Sequence, residues 1–259
     1  MKPAVGAIQL TALTSHPEAR GRLYCFPPAA SGPEYFASWS TGLPAMIDVV
    51  AVDLPGRGRR TDEPALLGIR QMAGWIASLI TADARDRGDE LYALAGHSFG
   101  GLLAFETARA LRELGAGPAL LMVSATPAPW LELPRHHAVG SLTSGIAPLL
   151  TILDLPPISG APDPQLVQGL YLPLLADTIA SLQHVYRDEP PLALPISVFG
   201  GSDDPLVPLD SLDAWGKHTT LAPAVRVFAG DHQYLTANLP EVLRALTADL
   251  LAAWRNWKG

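Results

Sequence analysis

The fifteen residues from Leu91 to Phe105, LYALAGHSFGGLLAF, constrain this chain more than any other stretch. They read as a short buried strand, a serine between glycines, and then at once an apolar helix. Gly96 and Gly100 lack a Cβ, so the backbone around Ser98 can turn sharply and come close to its neighbours. A turn of that kind holds the serine hydroxyl exposed at the strand's end, with the N-terminus of the next helix aimed at it. The string G-x-S-x-G is weak evidence alone. Its context is stronger, because the apolar run Leu91 to Ala95 precedes it and a helical pattern from Gly101 to Leu114, closed by Gly115 and Gly117, follows. Adjacent residues on a tight turn point different ways, so His97 is expected to be a packed or hydrogen-bonding neighbour and not a catalyst. The first expectation is an acyl hydrolase.

Similar apolar runs recur, each followed by turn chemistry: Leu23 to Phe26, Val49 to Asp53, Leu91 to Ala95, Ala119 to Val123, Ile196 to Phe199 and Val225 to Phe228. Continuous apolar strands imply burial on both faces, and helical stretches lie between most of them. The predicted fold class is therefore α/β, with a mostly parallel central sheet flanked by helices on both sides. Ligands of such sheets sit beyond the carboxyl ends of the strands, where the turn places Ser98. The 259 residues are within reach of one domain with an insertion, so residues 1-259 are read as a single domain. From about Thr126 to Pro195 no convincing strand occurs, and Pro-rich joints separate helical patches at Gln165 to Leu175 and Asp177 to Tyr186. Residues 126-195 are read as an inserted helical lid that excludes water and lines an acyl pocket with leucines.

Composition removes several classes. Apolar residues form 48% of the chain and charged ones 17%, which supplies a large core and argues against disorder. A net charge of −7 with no long basic run disfavours a nucleic-acid partner, and Arg57, Arg59 and Arg60 are expected to form a solvated loop. No apolar run reaches the length of a membrane span, so no membrane partner is expected. Cys25 is the only cysteine, so no internal disulfide is expected, and the start of the chain lacks the layout of a signal peptide; a cytoplasmic enzyme is expected. Cys25 itself, inside an apolar run, is expected to be a buried core thiol.

A serine nucleophile needs an imidazole to take its proton and a carboxylate to orient that imidazole. Of the seven histidines, His16 precedes the core, His97 adjoins the serine, His136, His137 and His184 fall in the inserted stretch, and His218 lies in a polar segment. His232 stands apart: it follows the run ending at Phe228 through Ala229-Gly230-Asp231, on a loop at a strand's carboxyl end. The acid is expected after Ile196 to Phe199, where Asp203 and Asp204 compete. Asp204 is preferred because Pro205 restricts its backbone, while Asp203 is expected to cap the turn. The order serine, aspartate, histidine is that of the α/β-hydrolase fold. For the oxyanion hole, the amide of Phe99 stands immediately after the nucleophile at a helix N-terminus. A second donor should come from Phe26-Pro27-Pro28-Ala29-Ala30-Ser31-Gly32; Pro27 and Pro28 have no N–H, and Ala29 is the candidate.

Taken together, FPPA at Phe26, LPGR at Leu54, GHSFG at Gly96, GGSDDP at Gly200 and GDHQYL at Gly230 resemble the discrete type II thioesterases of polyketide and nonribosomal peptide assembly lines, over nearly the whole chain. The resemblance implies Ser98 as nucleophile, Asp204 as acid, His232 as base, and Ala29 with Phe99 as oxyanion donors. It also implies hydrolysis of acyl groups from the phosphopantetheine arm of an acyl or peptidyl carrier protein, with an acyl thioester as substrate and with no metal or organic cofactor. Carrier proteins are often acidic, so docking would depend on apolar contact or small basic patches near the lid. Two departures stand out: Ala30-Ser31 replaces the family's usual glycine pair, and Gln233 stands where an aromatic is usual. The same triad would also serve a product-releasing or cyclising thioesterase or a general carboxylesterase. A non-catalytic binding module is disfavoured by the intact triad residues.

Overall fold

Seven strands form one sheet in the computed structural model, which describes residues 7–88, 91–131, 150, 151, 153, 155–158 and 163–257. They are β1 (Gln9–Ala12), β2 (Gly21–Phe26), β3 (Ile47–Asp53), β4 (Tyr92–His97), β5 (Leu121–Ser124), β6 (Ile196–Gly201) and β7 (Ala224–Phe228). The sheet order is β1-β3-β2-β4-β5-β6-β7. β1 runs antiparallel to β3, and every other pair is parallel. The six apolar runs of the sequence are all strands. β1 is the one the sequence concealed: Leu10 and Ala12 alternate with Gln9 and Thr11, but two apolar positions in a half-exposed edge strand of four residues are too few to mark it out.

Burial follows from the pleat. Every residue of β2, β4, β5 and β6 is buried, and successive side chains feed two separate cores. Tyr24, Phe26, Val50, Leu94, Val123 and Val198 face the helices α1 (Ile69–Arg87) and α2 (Phe99–Glu113). A further helix, α3 (Leu172–Gln183), comes from the inserted stretch, and α4 (Leu239–Asn256) closes the chain. Leu23, Cys25, Val49, Ala93 and Met122 face the opposite side, where α4 brings Val242, Leu243, Leu246 and Leu250. Cys25 is buried among them, as its apolar run predicted.

The chain enters β3 on one side of β2 and then crosses to β4 on the other side, so the strand order reverses between β2 and β4. A crevice opens at the carboxyl ends of strands at such a reversal, because the loops leave in opposite directions. The loop after β2 and the turn after β4 meet there.

The two expected helical patches of the inserted stretch are one irregular helix. A turn at Pro164–Leu166 leads into a π turn at Val167–Tyr171 and then α3. Pro173 has no N–H to extend the ordinary ladder back to Gly169, and the wider turn lies immediately before it. The helix does not break at Ala176, because Leu174, Asp177 and Ala180 share its buried face. It stops at His184 and not at Tyr186: His184 turns extended and bonds Glu106 of α2 at 2.9 Å, while Arg70 of α1 takes the carbonyl of Val185. Part of the 126-195 stretch, including His136 and His137, lies outside the described residues. Among the described residues no helix is long and apolar enough to cross a membrane.

Candidate active site

Ser98 joins β4 to α2 with φ 55 and ψ −120, a conformation that costs a residue with a Cβ about 1–3 kcal/mol. The flanking glycines do not share it; they supply space. A Cβ on Gly96 would strike the carbonyl of Gly100, one on Gly100 would strike the carbonyls of Phe26 and Pro27, and one on Gly101 would strike Thr126. Two further bonds pin the turn: the Ser98 amide donates to the Ser124 carbonyl at 2.8 Å, and Thr126 Oγ1 donates to the Ser98 carbonyl at 3.0 Å.

Three loops converge on the hydroxyl. His232 Nε2 lies 2.9 Å from Ser98 Oγ, and His232 Nδ1 lies 2.8 Å from Asp204 Oδ2. The other Asp204 oxygen accepts the amides of Leu206 at 2.8 Å and Val207 at 3.2 Å, so the carboxylate is aimed from both sides. Both residues are sheltered, His232 with 2% and Asp204 with 8% of their surface exposed. Asp203 is exposed and turned away: its carboxylate accepts from Ser202 Oγ at 2.7 Å, and its amide donates to the Gly230 carbonyl at 2.9 Å. The structure thus separates the two adjacent aspartates into one that meets the imidazole and one that holds the turn. His232 is delivered by the reversal after β7, where Gly230 has φ 119, a value few other residues adopt.

His97 is the packed, hydrogen-bonded neighbour the sequence led one to expect, and it belongs to a layer beneath the imidazole whose other members, Ser124 and Tyr234, the sequence did not point to. His97 is 1% exposed, and its ring centre lies 5.4 Å from that of His232. Its Nδ1 is 2.8 Å from Ser124 Oγ, which in turn is 2.5 Å from the Tyr234 hydroxyl. Burial, and then the proximity of His232, push the His97 pKa down to about 3, so this ring is neutral at ordinary pH. Tyr234 lies two residues past His232, and Ser124 ends β5; only the folded arrangement shows that they meet.

The loop after β2 brings Ala29 to the same place. A cavity of about 350 Å³ is lined by Ala29 and Pro28, by Ser98 and His232, by Tyr35, Gln233 and Thr236, and by Leu153, Leu155 and Leu170 of the inserted stretch. The amide of Phe99 opens α2 directly after Ser98. Ala30, standing in place of a glycine, has φ 63: the loop retains the left-handed backbone a glycine would favour. Gln233, in place of an aromatic, is half-buried in the cavity wall, and its amide donates to Asp231 Oδ1 at 2.8 Å.

The expected solvated arginine loop is a correction. Arg59 is exposed, but Arg57 is fully buried and its Nη1 lies 2.5 Å from Asp177 Oδ2. Arg60 is tied to the carbonyls of Asp53 and Ala7 and to Glu63. A charge run looks solvated in a sequence when its counter-charge, here 120 residues away, is invisible. His218, in the segment between β6 and β7, is buried against Phe105 and Trp215, and burial with Arg109 and Lys217 nearby lowers its pKa to about 4. His16 pairs with Asp48 at 3.2 Å, away from the crevice.

Comparison with known proteins gives the family and the fold. A family model described as a thioesterase domain matches residues 21–250. The gramicidin S biosynthesis protein GrsT of Aneurinibacillus migulanus is 29% identical over 240 residues, 90% of this chain and 90% of its own. The AMB antimetabolite synthetase AmbE of Pseudomonas aeruginosa is 33% identical over 88% of this chain, which spans 11% of that larger protein. The solved structure of the type II thioesterase BorB, from the borrelidin biosynthetic cluster, superposes with a TM-score of 0.77 at 30% identity, covering 93% of this chain and 97% of its own. The sheet with its flanking helices is the α/β-hydrolase fold of these thioesterases.

Proposed function

This chain belongs to the thioesterase domain family, and on that premise we propose that it frees acyl groups from the phosphopantetheine arm of an acyl or peptidyl carrier protein, clearing stalled or misprimed chains. It is a hydrolase of thioesters. The observation that carries the proposed site is the relay from Asp204 through His232 to Ser98, at 2.8 and 2.9 Å, on a serine held at φ 55. In the proposed reaction Ser98 Oγ attacks the thioester carbonyl while His232 Nε2 takes its proton. The oxygen becomes an oxyanion facing the amides of Phe99 and Ala29. The carbon–sulfur bond then breaks, and His232 returns the proton to the departing thiolate. Water attacks the acyl-serine with His232 again as base, and the free acid leaves as Ser98 Oγ is reprotonated. Asp204 holds the imidazole in the tautomer that accepts at Nε2 and stabilises its cationic form.

No metal or organic cofactor enters this scheme; the phosphopantetheine arrives with the substrate. We read 126-195 as a lid within one domain, since Leu153, Leu155 and Leu170 of that stretch supply an apolar wall beside the serine. The test is mass spectrometry of an acyl-loaded carrier protein incubated with wild type and with Ser98→Ala. Release of free acid by wild type alone supports the reading. A cyclic product would replace it with a cyclising enzyme. An untouched carrier with rapid cleavage of small oxygen esters would replace it with a general esterase.

A further inference from the structure

The buried pair between Arg57 and Asp177 sits where two site loops meet the inserted stretch. Asp177 belongs to α3, and its Oδ2 accepts two bonds: from Arg57 Nη1, on the loop after β3, and from the backbone amide of Ala30 at 2.9 Å, on the loop after β2. Neither charged side chain has any exposed surface. Tyr171 and Leu174, on the preceding turns of the same helix run, pack with Leu150 against Ala29 and Ala30. The Arg57 guanidinium in turn lies over the ring of Phe99, 5.8 Å from its centre. One carboxylate on the inserted helix therefore reaches the loop of one candidate oxyanion donor directly, and the residue of the other through a single side chain.

Stability alone does not account for this pair. Taking two charges out of water is costly, and an apolar pair of similar volume commonly serves a core as well or better. The cost is greatest where bonding capacity is left unused, and among the described residues Arg57 Nη2 and Asp177 Oδ1 are both buried without a hydrogen-bond partner. What the pair supplies that apolar side chains would not is an acceptor aimed at one backbone amide. That amide belongs to Ala30, whose φ of 63 is unfavourable for a residue with a Cβ. Fixing the Ala30 amide fixes the peptide plane after Ala29 and so anchors one side of that residue, leaving only its own φ and ψ between the clamped plane and the Ala29 amide beside the cavity.

We infer that Asp177 is a positioning residue for the oxyanion hole: from the inserted helix it clamps the Ala30 amide so that the neighbouring Ala29 amide faces the oxygen developing on the acyl carbon, with Arg57 holding the carboxylate in place. This rests on the proposed acyl-enzyme reading. It makes formation of the oxyanion hole depend on α3 being seated, so a displaced helix leaves an intact relay with a misaimed donor.

Two double variants separate positioning from packing. Arg57→Met with Asp177→Asn removes both charges but keeps a carbonyl acceptor facing the Ala30 amide. Arg57→Met with Asp177→Leu removes both charges and the acceptor. Each avoids an uncompensated buried charge. Kinetics would use a small acyl thioester of N-acetylcysteamine, with melting temperature measured alongside and Ser98→Ala as control. The Asn double variant is expected to retain kcat within about threefold of wild type, while the Leu double variant loses at least about tenfold in kcat with KM changed less than about twofold, as removal of an oxyanion donor does. Binding of a boronic acid, which forms a tetrahedral adduct on serine, should weaken in parallel with kcat in the Leu variant only. Equal kcat in the two double variants would overturn the inference, as would a loss tracking melting temperature in both. Turnover in Ser98→Ala equal to wild type would instead overturn the underlying acyl-enzyme reading, so the two failures are distinguishable.

Discussion

Two residues that carry a Cβ hold positive φ on either side of the crevice, Ser98 at 55 and Ala30 at 63, and they are held there by opposite means. Ser98 is trapped by shape. Gly96, Gly100 and Gly101 let the backbones of β4, α2 and the loop after β2 close around it, and the hydrogen bonds that pin the turn, to the Ser124 carbonyl and from Thr126, are neutral. Ala30 is held by polarity, through a carboxylate 147 residues later in the chain that is itself fixed by an arginine from a third loop. A nucleophile must stand in one place through two chemical steps, and steric confinement does that permanently. An oxyanion donor matters only while an acyl group is bound, and a contact from an inserted helix can be made or withdrawn with that helix.

The largest effects should arise on the Ser98 side. Ser98→Gly removes the nucleophile and the strain together, so turnover should fall at least about ten-thousand-fold while thermal stability holds or rises by about 1 kcal/mol. Calorimetry and thioester hydrolysis on the same preparation test both halves; a destabilised variant would show that the turn is not strained. In the orienting acid the two neighbours should diverge. Asp204→Asn leaves the wrong hydrogen-bond partner at His232 Nδ1 and should cost about 10⁴ in kcat. Asp203→Asn should stay within about twofold, because among the described residues its carboxylate accepts from Ser202 and does not reach His232. Reversal of that ranking in steady-state kinetics would transfer the role to Asp203.

Next comes the steric confinement itself. In Gly100→Ala the new methyl meets the carbonyls of Phe26 and Pro27, which are backbone and cannot swing aside. The expected penalty is about 1–3 kcal/mol in chemical denaturation, with loss of activity because the displaced strand end carries Ala29. Gly74, with nothing near its Cβ position, should accept alanine without destabilisation and is the control. An equal response at both positions would break the assignment of space as the glycine's purpose.

The layer beneath His232 contributes through pH. The His97 pKa is about 3 in the folded protein against an ordinary 6.5, so the unfolded chain binds the extra proton between those values. Its contribution to stability is therefore complete above about pH 6.5 and is lost as pH falls toward 3. His218, lowered to about 4, adds to the same limb. His97→Asn should make the acid limb of unfolding free energy against pH shallower, and an unchanged limb would place the acid sensitivity elsewhere.

How much of this was legible in the chain depends on range. The relay was readable because each member follows its own strand within a few residues: Ser98 after β4, Asp204 after β6, His232 after β7. The parallel strands from β2 to β6 were readable because burial on both faces makes their apolar runs continuous, whereas β7, a largely exposed edge strand interrupted by Arg226, was readable from its short apolar run and the turn that follows it. β1 was not, since an edge strand of four residues carries only two alternating apolar positions and no continuous run. Arg57 was misread for a different reason: the strings around it and around Asp177 are separately unremarkable, and only the folded chain joins them. The strain at Ala30 was likewise hidden, because the anchor that holds its left-handed turn lies far along the chain.

The smallest expected effect sharpens the comparison most, because it asks what keeps Ala30 in place. Ala30→Gly removes the penalty of positive φ, about 1–2 kcal/mol, but adds freedom to the unfolded chain, about 0.4–1 kcal/mol, and the two oppose one another. The net change should be a gain of between zero and about 1.5 kcal/mol. Activity should remain within about twofold, because Asp177 holds the backbone amide and takes no account of the side chain. The methyl of Ala30 also packs against the cluster of Leu150, Tyr171 and Leu174. If that packing were what set the loop, deleting the methyl would release Ala29 and lower kcat tenfold or more, with the Asp177 contact unable to compensate. Equal kcat with a slightly higher melting temperature would leave polarity as the force on this side of the crevice, opposite the sterically confined serine.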